Sequence, residues 1–157
     1  MRKIFIPIFV MLILLTGCGV KKYKSLPLNI ETGDDIVVKV NTNGGYNVSE
    51  DKNNEIHSFA IKFTKDDKKI ATGYFDYADQ YDLIVEYIES EDYAPVVKGI
   101  KKENREDGKM LCYQYLADGN NICRVKIKGS NTMITIYGTL EYDELIKLIN
   151  RLSFSKK

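Results

Sequence analysis

The residues best suited to chemistry lie in one stretch, residues 73–93, which reads GYFDYADQYDLIVEYIESEDY. The stretch holds five tyrosines and seven carboxylates. Tyrosine rings beside carboxylates can bind sugars, or cationic peptides through ring faces and ion pairs. We therefore predict a binding surface here, made of Tyr74, Tyr77, Tyr81, Asp82 and Glu86. The alternative is an amphipathic helix whose acidic face is only solvated.

Three aspartates of the same stretch are candidate ligands for a calcium ion: Asp76, Asp79 and Asp82. An EF-hand loop alternates its ligands and needs a central glycine, and this stretch has neither feature. The sequence also lacks the Cys and His spacings that are typical of zinc sites. We therefore predict no metal and no cofactor.

Cys18 follows an apolar run, residues 4–15, which itself follows Arg2 and Lys3. The run is shorter than the roughly 20 residues of a spanning helix and has the length of a signal-peptide core. Residues 15–18, LTGC, resemble the lipobox of bacterial lipoproteins. That resemblance implies a lipid on the Cys18 thiol, cleavage just before it, and anchoring to the outer face of the cell membrane. The alternative is an uncleaved membrane helix.

These features divide the chain into three parts. Residues 1–17 are predicted to be a signal peptide, residues 18–33 the lipidated cysteine and a flexible tether, and residues 34–157 a single domain. The chain carries 23 basic and 22 acidic side chains, for a net charge of +1. A nucleic-acid surface would be strongly basic, so the expected partners are the membrane, through the lipid, and an envelope protein or glycan.

Cys112 and Cys123 flank a hairpin turn signal, ADGNN at residues 117–121. A two-residue turn within this signal would place both thiols on one face of the sheet but offset them diagonally. We therefore expect two small buried residues with free thiols, and a disulfide is the alternative.

The candidates for catalysis are few. His57 is the only histidine, and it lies beside Phe59 in a strand-like alternation. No GxSxG, Walker A or GxGxxG motif accompanies it, so we interpret His57 as a structural or surface residue. We favour a non-catalytic binding or accessory domain. The alternative is a cell-surface hydrolase that uses carboxylates alone on envelope glycans.

Hydrophobic periodicity predicts hairpin-linked strands and two helices. Strands are expected at 35–41, 46–49, 55–63, 69–75, 96–103, 109–116, 122–128 and 132–138, and helices at 79–90 and 141–152. The buried faces should be Leu83, Ile84, Tyr87 and Ile88 in the first helix, and Tyr142, Leu145, Ile146, Ile149 and Leu152 in the second. This order predicts an α+β fold, an antiparallel β-sheet with helices packed on it.

The order of elements, and above all the ending MITIYGTLEYDELIKLINRLSF at 133–154, resembles one domain family. It is shared by the photosystem accessory protein PsbP, the nuclear-transport factor Mog1 and many small bacterial lipoproteins. In that family a closing helix leads into a short final strand with a Ser-Phe pair, and Ser153 and Phe154 stand at that place. The resemblance covers residues 36–154. It implies an α/β/α sandwich with an accessory or assembly role.

Overall fold

The computed structural model describes residues 22–54 and 59–157. More than half of these residues lie in strands. The strands are β1 (Tyr23–Asn29), β2 (Asp35–Asn41), β3 (Tyr46–Glu50), β4 (Ala60–Lys65), β5 (Lys68–Tyr77), β6 (Val97–Arg105), β7 (Gly108–Tyr115), β8 (Asn121–Ile127), β9 (Thr132–Gly138) and β10 (Leu152–Lys156). The helices are α1 (Gln80–Glu89), α2 (Tyr142–Ile149) and a short 3-10 turn at Ala94–Val96.

The strands form two antiparallel sheets. The large sheet has seven strands in the order β3-β4-β5-β9-β8-β7-β6, and the small sheet has the order β1-β2-β10. Neighbours in the large sheet follow each other in the chain, except that β9 pairs with β5. The turn between β4 and β5 shows the local cause of such hairpins. Asp66 and Asp67 both have positive φ, 49° and 62°, as a two-residue type I′ turn requires.

The predicted fold class is wrong. We expected one sheet with helices packed on it, but the described chain is β-rich, with two sheets and only two short helices. The reason is that strands at opposite ends of the chain flank β2, where Val38 is paired with Leu26 on one side and Phe154 on the other. The resulting small sheet covers much of a face that helices would cover in the expected fold.

The main core lies between the two sheets and includes α2. Because alternate residues of a strand point to the same side, β2 buries every second side chain, and Ile36, Val38 and Val40 have no exposed surface. The large sheet contributes Phe63, Val125 and Ile134 to the same core. From α2 the core takes Leu145, Leu148 and Ile149, which are also fully buried.

The second helix is shorter than predicted and ends at Ile149. Arg105 satisfies carbonyl groups at this end, donating to the oxygens of Ile149 at 3.1 Å and Leu152 at 2.6 Å. The Oδ1 atom of Asp107 lies 2.8 Å from the Nε atom of Arg105 and holds the guanidinium in place. Leu152, expected on the helix, therefore lies in β10, while Leu148, which the predicted face omitted, is fully buried.

The opposite side of the large sheet packs against α1 in a smaller core. Tyr81 and Ile88 of the helix are buried there, 4% and 2% exposed. They meet Leu111 and Tyr113 of β7 and Met133 of β9. The large sheet is thus covered on one side by the small sheet and α2, and on the other side by α1.

β1 lies inside the segment that we predicted to be a flexible tether. It pairs with β2 along its whole length, and Leu28 is only 5% exposed. The sequence signal is weak because Leu26 and Leu28 are the only large aliphatic residues of the strand and Pro27 separates them. Proline is tolerated here because β1 is an edge strand.

Cys112 and Cys123 form a disulfide, so the expectation of free thiols is wrong. The two residues are direct partners in the ladder of β7 and β8, with their Cα atoms 4.0 Å apart. Both lie in the main core. The prediction that they share a face of the sheet is therefore confirmed, and the predicted diagonal offset is not.

The length of the hairpin loop explains the direct pairing. The backbone N–H of Tyr115 donates to the carbonyl oxygen of Asn120 at 2.7 Å, which leaves a four-residue loop at 116–119 where we expected two residues. The carboxylate of Asp118 accepts the backbone N–H of Asn120 at 2.9 Å. Gly119 supplies the positive φ, 74°, that the loop needs.

Candidate functional site

The helix α1 carries large apolar side chains on its outer side. Leu83 is 67% exposed and Tyr87 is 60% exposed, and residues four apart lie next to each other on a helix. We predicted that both would be buried together with Ile84 and Ile88. Instead the helix turns Tyr81 and Ile88 toward the sheet, so the predicted inner face is wrong for Leu83 and Tyr87.

Tyr87 continues into a row of aromatic rings. Its ring centroid lies 4.7 Å from that of Tyr93, and Tyr93 stacks on Tyr115 at 5.7 Å with an interplanar angle of 3°. Burial, reinforced by neighbouring tyrosines, raises the pKa of Tyr93 to about 12, so its hydroxyl stays neutral. We call Leu83, Tyr87, Tyr93 and Tyr115 the tyrosine patch.

Acidic side chains border the tyrosine patch. Glu86 adjoins Tyr87 in the chain, Asp92 adjoins Tyr93, Glu91 lies two residues before Tyr93, and all three are exposed. None of these three carboxylates forms an ion pair with a described residue. The patch therefore combines the exposed Leu83 and Tyr87 and the half-buried Tyr93 and Tyr115 with uncompensated negative charge.

The structure does not bring the predicted site residues to one surface. Tyr77 is 54% exposed at the end of β5, and Glu86 is exposed on α1. Tyr81 points into the smaller core, where burial raises its pKa to about 12. Tyr74 is half-buried on β5, and its ring meets Tyr137 edge-on at a centroid distance of 5.7 Å.

Asp82, the fifth predicted residue, is exposed but engaged by two lysines. Lys126 donates to its Oδ2 atom at 3.0 Å and Lys109 to its Oδ1 atom at 3.4 Å. These contacts lower the pKa of the Asp82 carboxyl, and the hydrogen bond from Lys126 contributes most to the shift. Because Asp82 thereby joins α1 to β7 and β8, we assign it a structural contact and not a ligand-binding role.

A second carboxylate with a shifted pKa, Asp34, lies in the loop between β1 and β2 and is 5% exposed. Lys156 approaches its Oδ1 atom at 2.6 Å, and its Oδ2 atom accepts hydrogen bonds from the Ser130 hydroxyl and, at 2.7 Å, the Asn131 amide. The hydrogen bonds from Lys156 and Ser130 lower the pKa of Asp34 to about 2. The carboxylate thus ties the small sheet to the large one.

Within residues 22–54 and 59–157, no three or more His, Cys, Asp or Glu side chains are arranged to hold a metal ion. Asp82, one of the carboxylates considered for calcium, is engaged by lysines. Neither helix in the described part of the chain is long and apolar enough to span a bilayer. Cys18 and His57 lie outside the described residues.

Sequence reasoning missed Tyr115 as a site residue because it lies on β7, far along the chain from α1. The sequence did contain a signal for Tyr115. In β7, Cys112 and Gln114 alternate with Leu111, Tyr113 and Tyr115. The alternation places the two tyrosines on the side of β7 opposite the disulfide. That side is the one on which α1 packs.

No family model matches the chain, and neither curated proteins nor solved structures give a significant match. The likeness of residues 15–18 to a lipobox therefore stays a prediction from the sequence. The likeness of residues 36–154 to the family of PsbP and Mog1 also stays untested, and the α/β/α sandwich that it implied is not the fold observed.

Proposed function

We propose that the chain is a lipid-anchored protein on the outer face of the cell membrane. In this proposal its β-rich domain is a non-catalytic binding module, and the tyrosine patch docks an envelope protein. The observation that carries the proposal is the exposure of Leu83 and Tyr87, at 67% and 60%, beside stacked rings. Contiguous exposed apolar surface is typical of interaction sites, and tyrosine is enriched among the residues that dominate binding energy at interfaces.

The charge around the tyrosine patch favours a basic partner. Glu86, Glu91 and Asp92 are exposed and have no cationic partner among the described residues. Lysine or arginine side chains of a partner can pair with these carboxylates and also lie over the exposed ring of Tyr87. The occupant that fits this chemistry is a protein surface with basic and apolar residues.

Two features support a location outside the cytoplasm. The sequence around Cys18 has the lipobox pattern, and Cys112 and Cys123 form a disulfide. Disulfides persist in oxidising compartments and are rare where thiol reductants dominate. The pattern and the bond are independent of each other, since one lies in the leader region and the other in the folded domain.

The hydrolase alternative would need a carboxyl group that holds a proton near neutral pH. The aspartates with shifted pKa values, Asp34 and Asp82, are shifted downward and are therefore ionised at that pH. Both carboxylates are also bonded to lysines. These observations favour binding over acid catalysis at either position.

The lipid anchor is tested by Cys18→Ser in cells fed a fatty-acid probe. We expect the variant to lose the label and to stay as uncut precursor, because serine offers no thiolate to the lipid donor. The Cys112→Ser variant is the matched control and should keep its label. Wild-type labelling of Cys18→Ser would refute the lipobox hypothesis.

The docking surface is tested with a photo-crosslinking amino acid at position 87 in intact cells. We expect crosslinks to one envelope protein, weakened when Glu86→Lys reverses a charge beside the patch. A crosslinker at Lys39, which is exposed on the small sheet, is the control. Equal crosslinking from both positions, or a product with carbohydrate at position 87, would contradict docking of a protein at the patch.

A further inference from the structure

The folded domain begins close in the chain to the predicted lipid attachment site. Lys22 is already fixed to the fold, because its carbonyl oxygen accepts hydrogen bonds from the backbone N–H of Thr42 at 2.8 Å and from the Thr42 hydroxyl at 3.2 Å. Lys22 follows Cys18 by only four positions. A fully extended chain spans at most about 3.6 Å per residue, so the two Cα atoms lie within about 14 Å of each other. A lipid on Cys18 would therefore hold this part of the domain close to the bilayer.

β1 gives this constraint a direction. Tyr23, at the start of β1, pairs with Asn41 at the end of β2, and Asn29, at the other end of β1, pairs with Asp35. Six residue steps of about 3.4 Å separate Asn29 from Tyr23 by about 20 Å along the strand. We call the end of the small sheet that holds Tyr23 and Asn41 the anchor end, and the end that holds Asn29 and Asp35 the far end.

The anchor end carries residue types that suit a membrane interface. Tyr23 is 58% exposed, and a tyrosine ring with its polar hydroxyl favours the level of the lipid headgroups. Lys22 and Lys24 are also exposed. Neither lysine forms an ion pair with a residue that the structure describes. Lysines in this position attract anionic lipids.

The loop between β2 and β3 extends the positive surface of the anchor end. The half-buried Arg151 donates to the carbonyl oxygen of Asn43 in this loop at 2.7 Å. The turn between β4 and β5 meets the same loop, since the backbone N–H of Asp66 donates to the carbonyl oxygen of Gly45 at 3.0 Å. That turn, KDDK at residues 65–68, holds two lysines and two aspartates and is neutral. Together with Arg151, the loop and the turn thus add one positive charge to those of β1.

We infer that the anchor end rests on a bilayer that contains anionic lipid, with the ring of Tyr23 at the level of the headgroups and with Lys22 and Lys24 against the lipid charges. This orientation rests on the lipid anchor of the proposed function and specifies which surface of the domain meets the membrane. The small sheet, which includes β1, and α1 lie on opposite sides of the large sheet. The orientation therefore keeps the tyrosine patch away from the strand that meets the bilayer.

The test uses the full chain as cells lipidate it, purified from membranes and reconstituted in vesicles of phosphatidylcholine and phosphatidylglycerol. A nitroxide on the lipid headgroup quenches a fluorescent amino acid that replaces either Asn43 or Asn29, both of which are exposed. We expect quenching at position 43, in the loop at the anchor end, to be severalfold stronger than at position 29. A fluorescent amino acid at position 87, in the tyrosine patch, should also be quenched less than at position 43.

Charge reversal separates contact with the headgroups from the short chain alone. Lys22→Glu combined with Lys24→Glu should lower the quenching at position 43 about twofold in the anionic vesicles, because the reversed charges are repelled. The same variant should change little in vesicles of phosphatidylcholine alone. Lys128→Glu combined with Lys157→Glu is the matched control and should behave as the wild type does. Both control lysines are exposed, and neither forms an ion pair within the described part of the chain.

The contribution of the ring is tested in the same vesicles. Tyr23→Ser should weaken the quenching at position 43, because the domain loses its aromatic contact with the headgroups. Tyr77→Ser is the matched control, since the ring of Tyr77 is 54% exposed at the end of β5. This control should leave the quenching unchanged. Equal effects of a variant and its control, for the ring or for the lysines, would overturn the contact assigned to those residues.

Flotation of the vesicles separates the orientation of the domain from its anchor. Wild type that floats with the vesicles and is quenched equally at positions 43 and 29 would leave the anchor intact and overturn the orientation. Stronger quenching at position 87 than at position 43 would place the tyrosine patch on the bilayer and would also overturn it. Wild type that does not float would refute the anchor and, with it, the orientation.

Discussion

The two helices of this protein are similar in length, ten residues in α1 and eight in α2, but they use their apolar residues differently. In α2 the side chains of Leu145, Leu148 and Ile149 have no exposed surface. In α1 two apolar side chains are buried, and Leu83 and Tyr87 project into solvent.

The difference follows from what surrounds each helix. α2 lies in the main core, beside the small sheet and above the large one, so its apolar face meets protein. α1 packs on the outer side of the large sheet, and its far side has no described element over it. A helix on one sheet needs one apolar face. The fold leaves Leu83 and Tyr87 on the far side of α1 mostly exposed, so we expect α2 to matter for stability and α1 for binding.

The largest change in stability should come from Leu148→Ala in α2, the helix that we expect to matter for stability. Deletion of a fully buried leucine leaves a cavity and should lower the free energy of unfolding by about 2–5 kcal/mol. Leu83→Ala in α1 is the matched substitution at an exposed site and should stay within about 0.5 kcal/mol of the wild type. Chemical denaturation of both variants measures the difference. Similar losses would remove the distinction between the helices.

Cys112 and Cys123 both lie in the main core, on the side of the large sheet that faces α2. Removing their disulfide therefore tests whether this side of the sheet dominates stability. Replacing both by alanine should lower the free energy of unfolding by about 2–4 kcal/mol, because the unfolded chain is no longer constrained. The stacked rings on the other side of the sheet should be unaffected. Recovery of two free thiols from the wild type, by alkylation without reductant and mass spectrometry, would contradict the bond.

Acid should weaken the contact between the two sheets through Asp34. The pKa of this carboxyl is lowered from 3.8 to about 2 in the folded chain. The unfolded chain then binds the proton more readily, so the stabilisation is present above pH about 4 and is lost as the pH falls toward about 2. Asp34→Asn should have a lower melting temperature at pH 6 and a smaller further loss in acid. Parallel melting curves for Asp34→Asn and the wild type across this range would contradict the role of Asp34.

The smallest effect on stability should come from the double variant Leu83→Ser, Tyr87→Ser. Both side chains are mostly exposed, so the melting temperature should change little. The same variant should lose the envelope crosslink, here read from a crosslinker placed at Tyr93. Full retention of the crosslink would show that α1 does not form the docking surface.

The alternation of apolar and polar residues predicted the strands well where one face of the strand is buried and the other is exposed to solvent. In β8, Cys123, Val125 and Ile127 are buried in alternation with less buried residues, and β9 has the predicted bounds. The same approach failed for α1. Tyr81, Leu83, Tyr87 and Ile88 occur on both sides of that helix, so helical spacing alone could not identify the side that meets the sheet.

The sequence by itself determined the alternating strands, the two helical segments and the shared face of Cys112 and Cys123. These features depend on neighbouring residues, and period-two or helical spacing is a local property. Tertiary structure decided the rest: the pairing of β1 and β10 with β2, the rotation of α1, and the stacking of Tyr93 on Tyr115. Each of these depends on residues that are distant in the chain and become neighbours only when the sheets assemble.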